Sequence, residues 1–163
     1  MTSSELDLKE RQAMVESSAF LLARLGRVAA RQLSEELIGT GLKPPQASIL
    51  ILLRDLGPMS QQSLAQRLHV DPSNLVAFLN ALEGEGLLVR KRDPADRRRH
   101  IVEITQQGVE RAPGCAECVV AIEDQLFAGL SAEEREQLHG ILAHVLETMA
   151  LEESSSAAEE DFE

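Results

Sequence analysis

The sequence has no tryptophan and no tyrosine, and only four phenylalanines among 163 residues. A core without large aromatic rings must be filled by Leu, Ile, Val and Ala, and a chain that is 44% apolar with so few aromatics points to a mainly helical fold. No apolar run approaches the roughly 20 residues that span a bilayer. The opening MTSSELDLKE is not a charged-then-apolar export signal, so the expected location is the cytoplasm. Also lacking are a Gly-rich phosphate loop, a G-x-S-x-G elbow and any paired-carboxylate spacing, and an enzyme is not expected. No cofactor is implied. The length suits one domain of ordinary size with a single well-filled core.

Positive charge is scarce as well: 16 Lys and Arg stand against 27 Asp and Glu, for a net charge of −11. That balance argues against a polyanionic partner only if it is evenly spread, and it is not. The segment EESSSAAEEDFE after Leu151 holds six acidic residues and no basic one. Its Ser, Ala and Glu cannot bury enough surface to offset the entropy of ordering, so 151–163 is expected to be an acidic tail, disordered or ordered only by neighbours. Between Arg90 and His100 the opposite holds. Arg90, Lys91, Arg92, Arg97, Arg98 and Arg99 face only Asp93 and Asp96, so six positive against two negative charges leave a local +4. Fields act over about one Debye length, roughly 8–10 Å at ordinary salt, so an acidic chain can still carry a positive face. Guanidiniums crowded on a short hairpin repel one another unless an anion meets them, and a phosphate backbone is the natural guest. A merely solvated turn is the plainer reading of an arbitrary basic run; the residues before this one argue otherwise.

From Ser60 to Thr105 the chain reads as helix, turn, helix and a two-stranded wing. Ser60 is a good N-cap, and Leu64 and Leu68 follow at i, i+4 spacing. Asp71-Pro72 then supplies a capping carboxylate and a proline suited to a first helical position. In the second helix Leu75, Phe78, Leu79 and Leu82 fall on one stripe, leaving Ser73, Val76, Ala77 and Asn80 on the other side. Gly84 and Gly86 end it. LLVRKRD and HIVEIT flank DPADRRR as two strand-like runs around a turn, a β-hairpin with a basic tip. Met59 and Ser60 can add a third, very short strand.

The remaining segments are helical. From about Leu8 to Ile38 apolar residues recur at helical spacing without a proline, as one long helix whose apolar positions exceed what a small domain can cover. Arg24, Arg27 and Arg31 line one of its sides, with a solvated or ion-paired face as the plainer reading. Gly39 to Pro45 breaks the chain, and QASILILLRDLG, apolar around most of its circumference, is the helix expected deepest in the core. After the wing, Thr105 to Gly108 caps another helix, which Pro113-Gly114 is expected to kink or restart. Ser131 to Glu134 has the S-x-x-E pattern of a capping box ahead of the last helix. The expected organisation is an N-terminal dimerisation helix (8–38), a winged helix-turn-helix DNA-binding unit (44–105), C-terminal dimerisation helices (106–150) and the tail. The fold class is therefore mainly α with a small β-wing, with a helical dimerisation layer drawn from both ends.

This order of elements resembles the MarR family of transcriptional regulators, and the likeness covers Leu21 to Met149. It rests on SQQSLAQRLHVDPSNLVAFLNALEGEGLLVRKRDPADRRRHIVEITQQG, above all DPADRRR followed by a strand and T-x-x-G, and on LSAEEREQL. The resemblance implies a homodimer on double-stranded DNA, with the first, fifth and sixth helices at the dimer interface. It implies that Arg98 enters a minor groove braced by Asp96, with Arg97 and Arg99 facing phosphates. A narrow minor groove concentrates negative potential and favours such an arginine. The helix from Pro72 to Glu83 would lie in the major groove with Ser73, Asn74, Val76, Ala77 and Asn80 nearest the bases. Asparagine can pair bidentately with adenine, which singles out Asn74 and Asn80 for direct readout. Arg90 and Arg92 complete the candidate DNA-contacting set. Where relatives often carry arginine, this helix has Ala77 and no Lys or Arg at all, so affinity is expected to lean on the wing and to fall steeply with salt.

The resemblance also implies a small aromatic or amphipathic effector, and so a repressor that releases a pseudo-palindromic operator. Two rival readings remain: a redox regulator acting through Cys115 and Cys118, and a winged-helix module for protein contacts. A lone C-x-x-C without a second pair or clustered histidines is a weak metal signal. His69, His100, His139 and His144 show no metal spacing.

Overall fold

The computed structural model describes residues 17–93 and 99–160, the segment 150–160 as backbone only. Helix α1 spans Ser18–Glu36 and begins where the Ser17 hydroxyl accepts the Phe20 amide at 3.3 Å. The expected single helix from Leu8 to Ile38 is corrected at both ends. Ser17 is extended (φ −66°, ψ 142°), because its side chain caps α1 instead of continuing a helix, and residues 1–16 lie outside the described residues. At the other end the chain tightens into a 3-10 turn, Leu37–Thr40, that buries Leu37.

Helix α2, Pro44–Leu56, starts on two prolines whose missing amides cost nothing in a first turn. It buries Ile49, Leu50 and Leu53 completely or nearly so and forms the centre of the core, as its apolar circumference predicts. Strand β1, Met59–Ser60, leads into α3, Gln61–Leu68, capped by the Ser60 hydroxyl on the Ser63 amide at 3.0 Å. His69 turns the chain in the left-handed region (φ 47°) and α4, Pro72–Gly84, follows. Gly86, at φ 73°, reverses direction into β2, Leu88–Arg92, at a backbone angle that a side chain would strain. Strand β3, His100–Ile104, lies between β2 and β1, antiparallel to both, with Arg90 opposite Val102 and Met59 on its other side. The wing is thus stitched to the start of the helix-turn-helix by the short strand that the sequence suggested.

Helix α5, Gln106–Leu126, is capped by Thr105 and continues unbroken through Pro113, so of the expected kink or restart the restart is corrected. Proline removes one amide donor, the one that would bond Val109, but its ring faces solvent while Ala112 and Cys115 beside it are fully buried. Packing of that face outweighs one missing hydrogen bond. Helix α6, Ala132–Glu160, opens with the expected capping box: the Glu134 carboxylate accepts from the Ser131 amide at 2.7 Å, and the Ser131 hydroxyl accepts the Glu134 amide at 3.3 Å. It continues as helical backbone to Glu160, across the segment from 151 expected to be disordered or ordered only by neighbours; residues 161–163 lie outside the described residues. Extending an existing helix needs no new nucleus, and Ala and Glu are good helix formers.

One cluster of aliphatic side chains joins α2, α3, α4, the sheet and the inner face of α5. At about 1.5–3 kcal/mol per fully buried Leu or Ile, this cluster holds the winged unit together. Outside it, α6 buries none of its side chains from 132 to 149. Ile141 is 63% exposed, Leu21 on α1 53% and Val120 on α5 58%. Among the described residues no helix is long and apolar enough to cross a membrane.

Candidate nucleic-acid interface

The interface is built outward from α4. Leu75, Leu79 and Leu82 anchor one side of the helix in the core, so Ser73, Asn74, Val76, Ala77 and Asn80 all stand exposed on the other, as their spacing predicts. Asp71 sets the start of the helix. Its carboxylate accepts the Ser73 amide at 2.8 Å and also the Ser73 hydroxyl, and these bonds, the hydroxyl first, hold its pKa below the ordinary carboxylate value. Ser73 thus spends its hydroxyl proton on the cap.

At the other end of α4 lies a cluster that sequence reasoning missed. The Glu83 carboxylate accepts the Arg90 backbone amide at 3.1 Å and Nε at 3.0 Å, and it also takes Nη2. The same Nη2 donates to Asn80 Oδ1 at 2.7 Å. Arg90, one of the candidate DNA contacts, braces α4 against β2, its side chain 22% exposed. The guanidinium in turn holds the Glu83 carboxyl below its usual range. A signal was present in the sequence, since an acid at a helix end and a base seven residues later straddle the Gly86 turn. Gln61, Val76 and His100 join Glu83 and Arg90 around a cleft of about 400 Å³ between α4 and the hairpin.

Of the other wing residues, Lys91 pairs with Glu103 across the hairpin. Arg92 is exposed at the end of β2 opposite His100, and the Asp93 amide bonds the Arg99 carbonyl at 3.0 Å where the strands part. Arg99 is exposed. Asp96, Arg97 and Arg98 lie outside the described residues. The hairpin is fixed at its base: the Thr105 amide bonds the Leu87 carbonyl at 3.0 Å, and the Thr105 hydroxyl donates to the Gly86 carbonyl at 2.7 Å while accepting the Gly108 amide at 3.1 Å. This is the physical content of T-x-x-G.

A residue-level match accompanies this geometry. The MarR family sequence model matches residues 42–100, which run from the loop before α2 to the start of β3. A putative transcriptional regulatory protein for the hcr operon of Thauera aromatica is 35% identical over 121 residues, 73% of each chain. The chain belongs to the MarR family.

MarR-family structures share the architecture. The transcriptional repressor CouR bound to a 23-mer DNA duplex is 32% identical with a TM-score of 0.73, covering 82% of this chain and 94% of that one. CouR from Rhodococcus jostii RHA1 bound to p-coumaroyl-CoA is 29% identical with a TM-score of 0.74, over 83% and 95% of the two chains. As a MarR-family member this chain is a DNA-binding transcriptional regulator, not an enzyme.

The remaining candidates separate. Cys115 is fully buried, and burial, then the neighbouring Cys118, pushes its thiol pKa up, away from the reactive thiolate. Cys118 is half-buried with its sulfur 3.5 Å from the Glu36 carbonyl. Among the described residues no three His, Cys, Asp or Glu side chains gather as metal ligands. Far from α4, α1 and α6 enclose an open apolar groove of about 710 Å³, lined by Leu21, Leu22, Leu25, Leu138, Ile141 and Val145, with Arg24 at its edge.

Proposed function

We propose that this regulator acts as a homodimer on a pseudo-palindromic operator, reading bases with α4 and gripping the minor groove with the wing. The observation that carries this reading is the Arg90 brace, which ties the exposed face of α4 to the hairpin so that both meet the same duplex as one rigid surface. In it Ser73, Asn74, Val76, Ala77 and Asn80 face the bases. Arg92, Arg97 and Arg99 lie along phosphates, and Arg98, braced by Asp96, enters the minor groove. Arg90 serves the interface by positioning rather than by contact. The uncovered apolar faces of α1, α5 and α6 support a dimer layer built from 8–38 and 106–150, with 44–105 as the DNA-binding unit. Half-sites then fall about one helical turn apart.

Release by a small amphipathic ligand, and hence repression, is the regulatory mode that CouR with p-coumaroyl-CoA suggests by analogy. Ligand binding near the dimer layer would change the spacing of the two α4 helices and shift the chain toward a form with weaker DNA affinity. The site of action is the cytoplasm, where the DNA is. The buried Cys115 disfavours an oxidant-sensing mode.

Selection of bound sequences from a random duplex pool at two salt concentrations tests this reading. A two-fold-related motif is expected, with affinity falling steeply as salt rises. A pool that stays random defeats sequence selectivity. Arg98→Ala is expected to weaken operator binding at least tenfold, by about 1.4 kcal/mol or more; affinity within a factor of two of the parent removes the wing from the groove.

A further inference from the structure

From Gln61 to Gly84 the chain buries or half-buries every large aliphatic side chain except Val76 on α4, which is 42% exposed. Val76 stands at the centre of the outward stripe, with Ser73 a turn before it, Asn80 a turn after it and Ala77 beside it, all exposed. It also lines the cleft of about 400 Å³ between α4 and the hairpin, so open space adjoins its methyl groups. The helix gains nothing from this residue. A β-branched side chain favours helix less than alanine does, and the packing that ordinarily offsets the difference is missing on an exposed face. Single exposed aliphatics are common on any surface, but the setting of this one is specific: α4 carries no Lys or Arg, and the charged groups at the cleft, Glu83 and Arg90, are paired with each other. In a helix one rotamer of valine dominates, so its two methyl groups are presented with little side-chain entropy left to lose.

We infer that Val76 is a specificity-determining residue that selects thymine through its C5-methyl group, at one position in each half-site. The inference rests on the reading that α4 lies in the major groove. Thymine is the one base of the four that presents an apolar group there. Valine neither donates nor accepts, so against adenine N6, cytosine N4 or guanine O6 it would displace water from a polar atom and offer no partner in return. Against thymine the valine and base methyl groups leave water together. One buried methyl group corresponds to about a fourfold difference in affinity.

The test uses the full chain and the duplex selected from a random pool, with each thymine of the half-site replaced in turn by deoxyuridine and affinity read by fluorescence anisotropy. Deoxyuridine keeps every hydrogen-bonding atom of thymine and lacks only the methyl group. One such exchange is expected to weaken the parent about fourfold. Val76→Ala suits the helix and so keeps the fold, and for it the same exchange is expected to leave affinity unchanged. Replacing cytosine by 5-methylcytosine at that position should likewise strengthen the parent about fourfold and leave Val76→Ala unaffected. A parent indifferent to every exchange would overturn the inference. So would a loss that Val76→Ala shares at the same thymine, since the methyl group would then act through another residue or through duplex shape. In both of those cases a base preference altered by Asn74→Ala would show that α4 still lies in the major groove. If no substitution at Ser73, Asn74, Val76 or Asn80 alters any base preference, the major-groove placement itself has failed, and the inference with it.

Discussion

Replacing Gly108 by Ala and, in a second protein, Gly114 by Ala adds one methyl group at two sites six residues apart in α5, with opposite expected outcomes. Both changes relieve a helical glycine of its excess backbone entropy, a gain of about 0.5–1 kcal/mol. At Gly114 a new Cβ meets nothing within 4 Å, so the gain stands and the protein becomes more stable by about that amount. At Gly108 the Cβ would lie 2.1 Å from the Leu87 carbonyl oxygen and 2.6 Å from Ile104 Cγ1. The oxygen must retreat by about 0.9 Å merely to reach the 3.0 Å below which such contacts are not seen. It is poorly placed to do so, because Leu87 is fully buried, its amide bonds the Leu82 carbonyl at 2.9 Å, and its own carbonyl takes the Thr105 amide. Overpacking of this kind costs about 1–3 kcal/mol, and loss of the Thr105 bond about 1 kcal/mol more. Gly108→Ala is thus expected to be destabilised by about 2 kcal/mol net of the helix gain. Urea unfolding at one fixed protein concentration, followed by circular dichroism, reads both. A Gly108→Ala midpoint equal to or above that of Gly114→Ala would refute the reasoning, and with it the account of why a glycine follows Thr105 at this spacing.

Other consequences are as direct. Ile141→Glu places a charge in the apolar groove between α1 and α6, and light scattering is expected to find a monomer with at least tenfold weaker operator binding; an unchanged mass would place the dimer contact elsewhere. Glu83, whose carboxyl is held by Arg90 below the usual carboxylate range, contributes stability that is present above its unfolded pKa and lost as pH falls through the folded one. Between pH 6 and 3 the urea midpoint of Glu83→Gln should therefore fall less than that of the parent, and parallel curves would mean that the brace adds nothing in solution. Cys115 is expected to resist a thiol reagent until the chain unfolds, whereas Cys118 reacts slowly in the native state, and mild oxidant should leave operator affinity unchanged.

Much of this molecule is legible before folding is considered. Ser60, Asp71, Thr105 and Ser131 announce four helices, because a cap bonds an amide two or three residues ahead and so depends on nothing farther away. The exposed face of α4 follows from the spacing of Leu75, Leu79 and Leu82 alone, and the basic hairpin from a local excess of charge. The sequence by itself thus determined the winged helix-turn-helix and the residues it presents.

Tertiary structure decided whatever depends on a partner beyond the next turn. Pro113 reads as a break, yet the burial of Ala112 and Cys115 carries α5 through it, since packing a face into the core is worth more than one amide bond. Arg90 reads as one more cation for DNA, but the reversal at Gly86 brings it onto Glu83 and Asn80, where a charge-assisted bond within the protein precedes any bond to a phosphate. Gly108 reads as part of a motif, and only the approach of the Leu87 carbonyl explains why no side chain fits there. Local signals act through neighbours a few bonds away. The brace, the continuous helix and the excluded methyl group arise from atoms that meet only after the chain has turned back on itself.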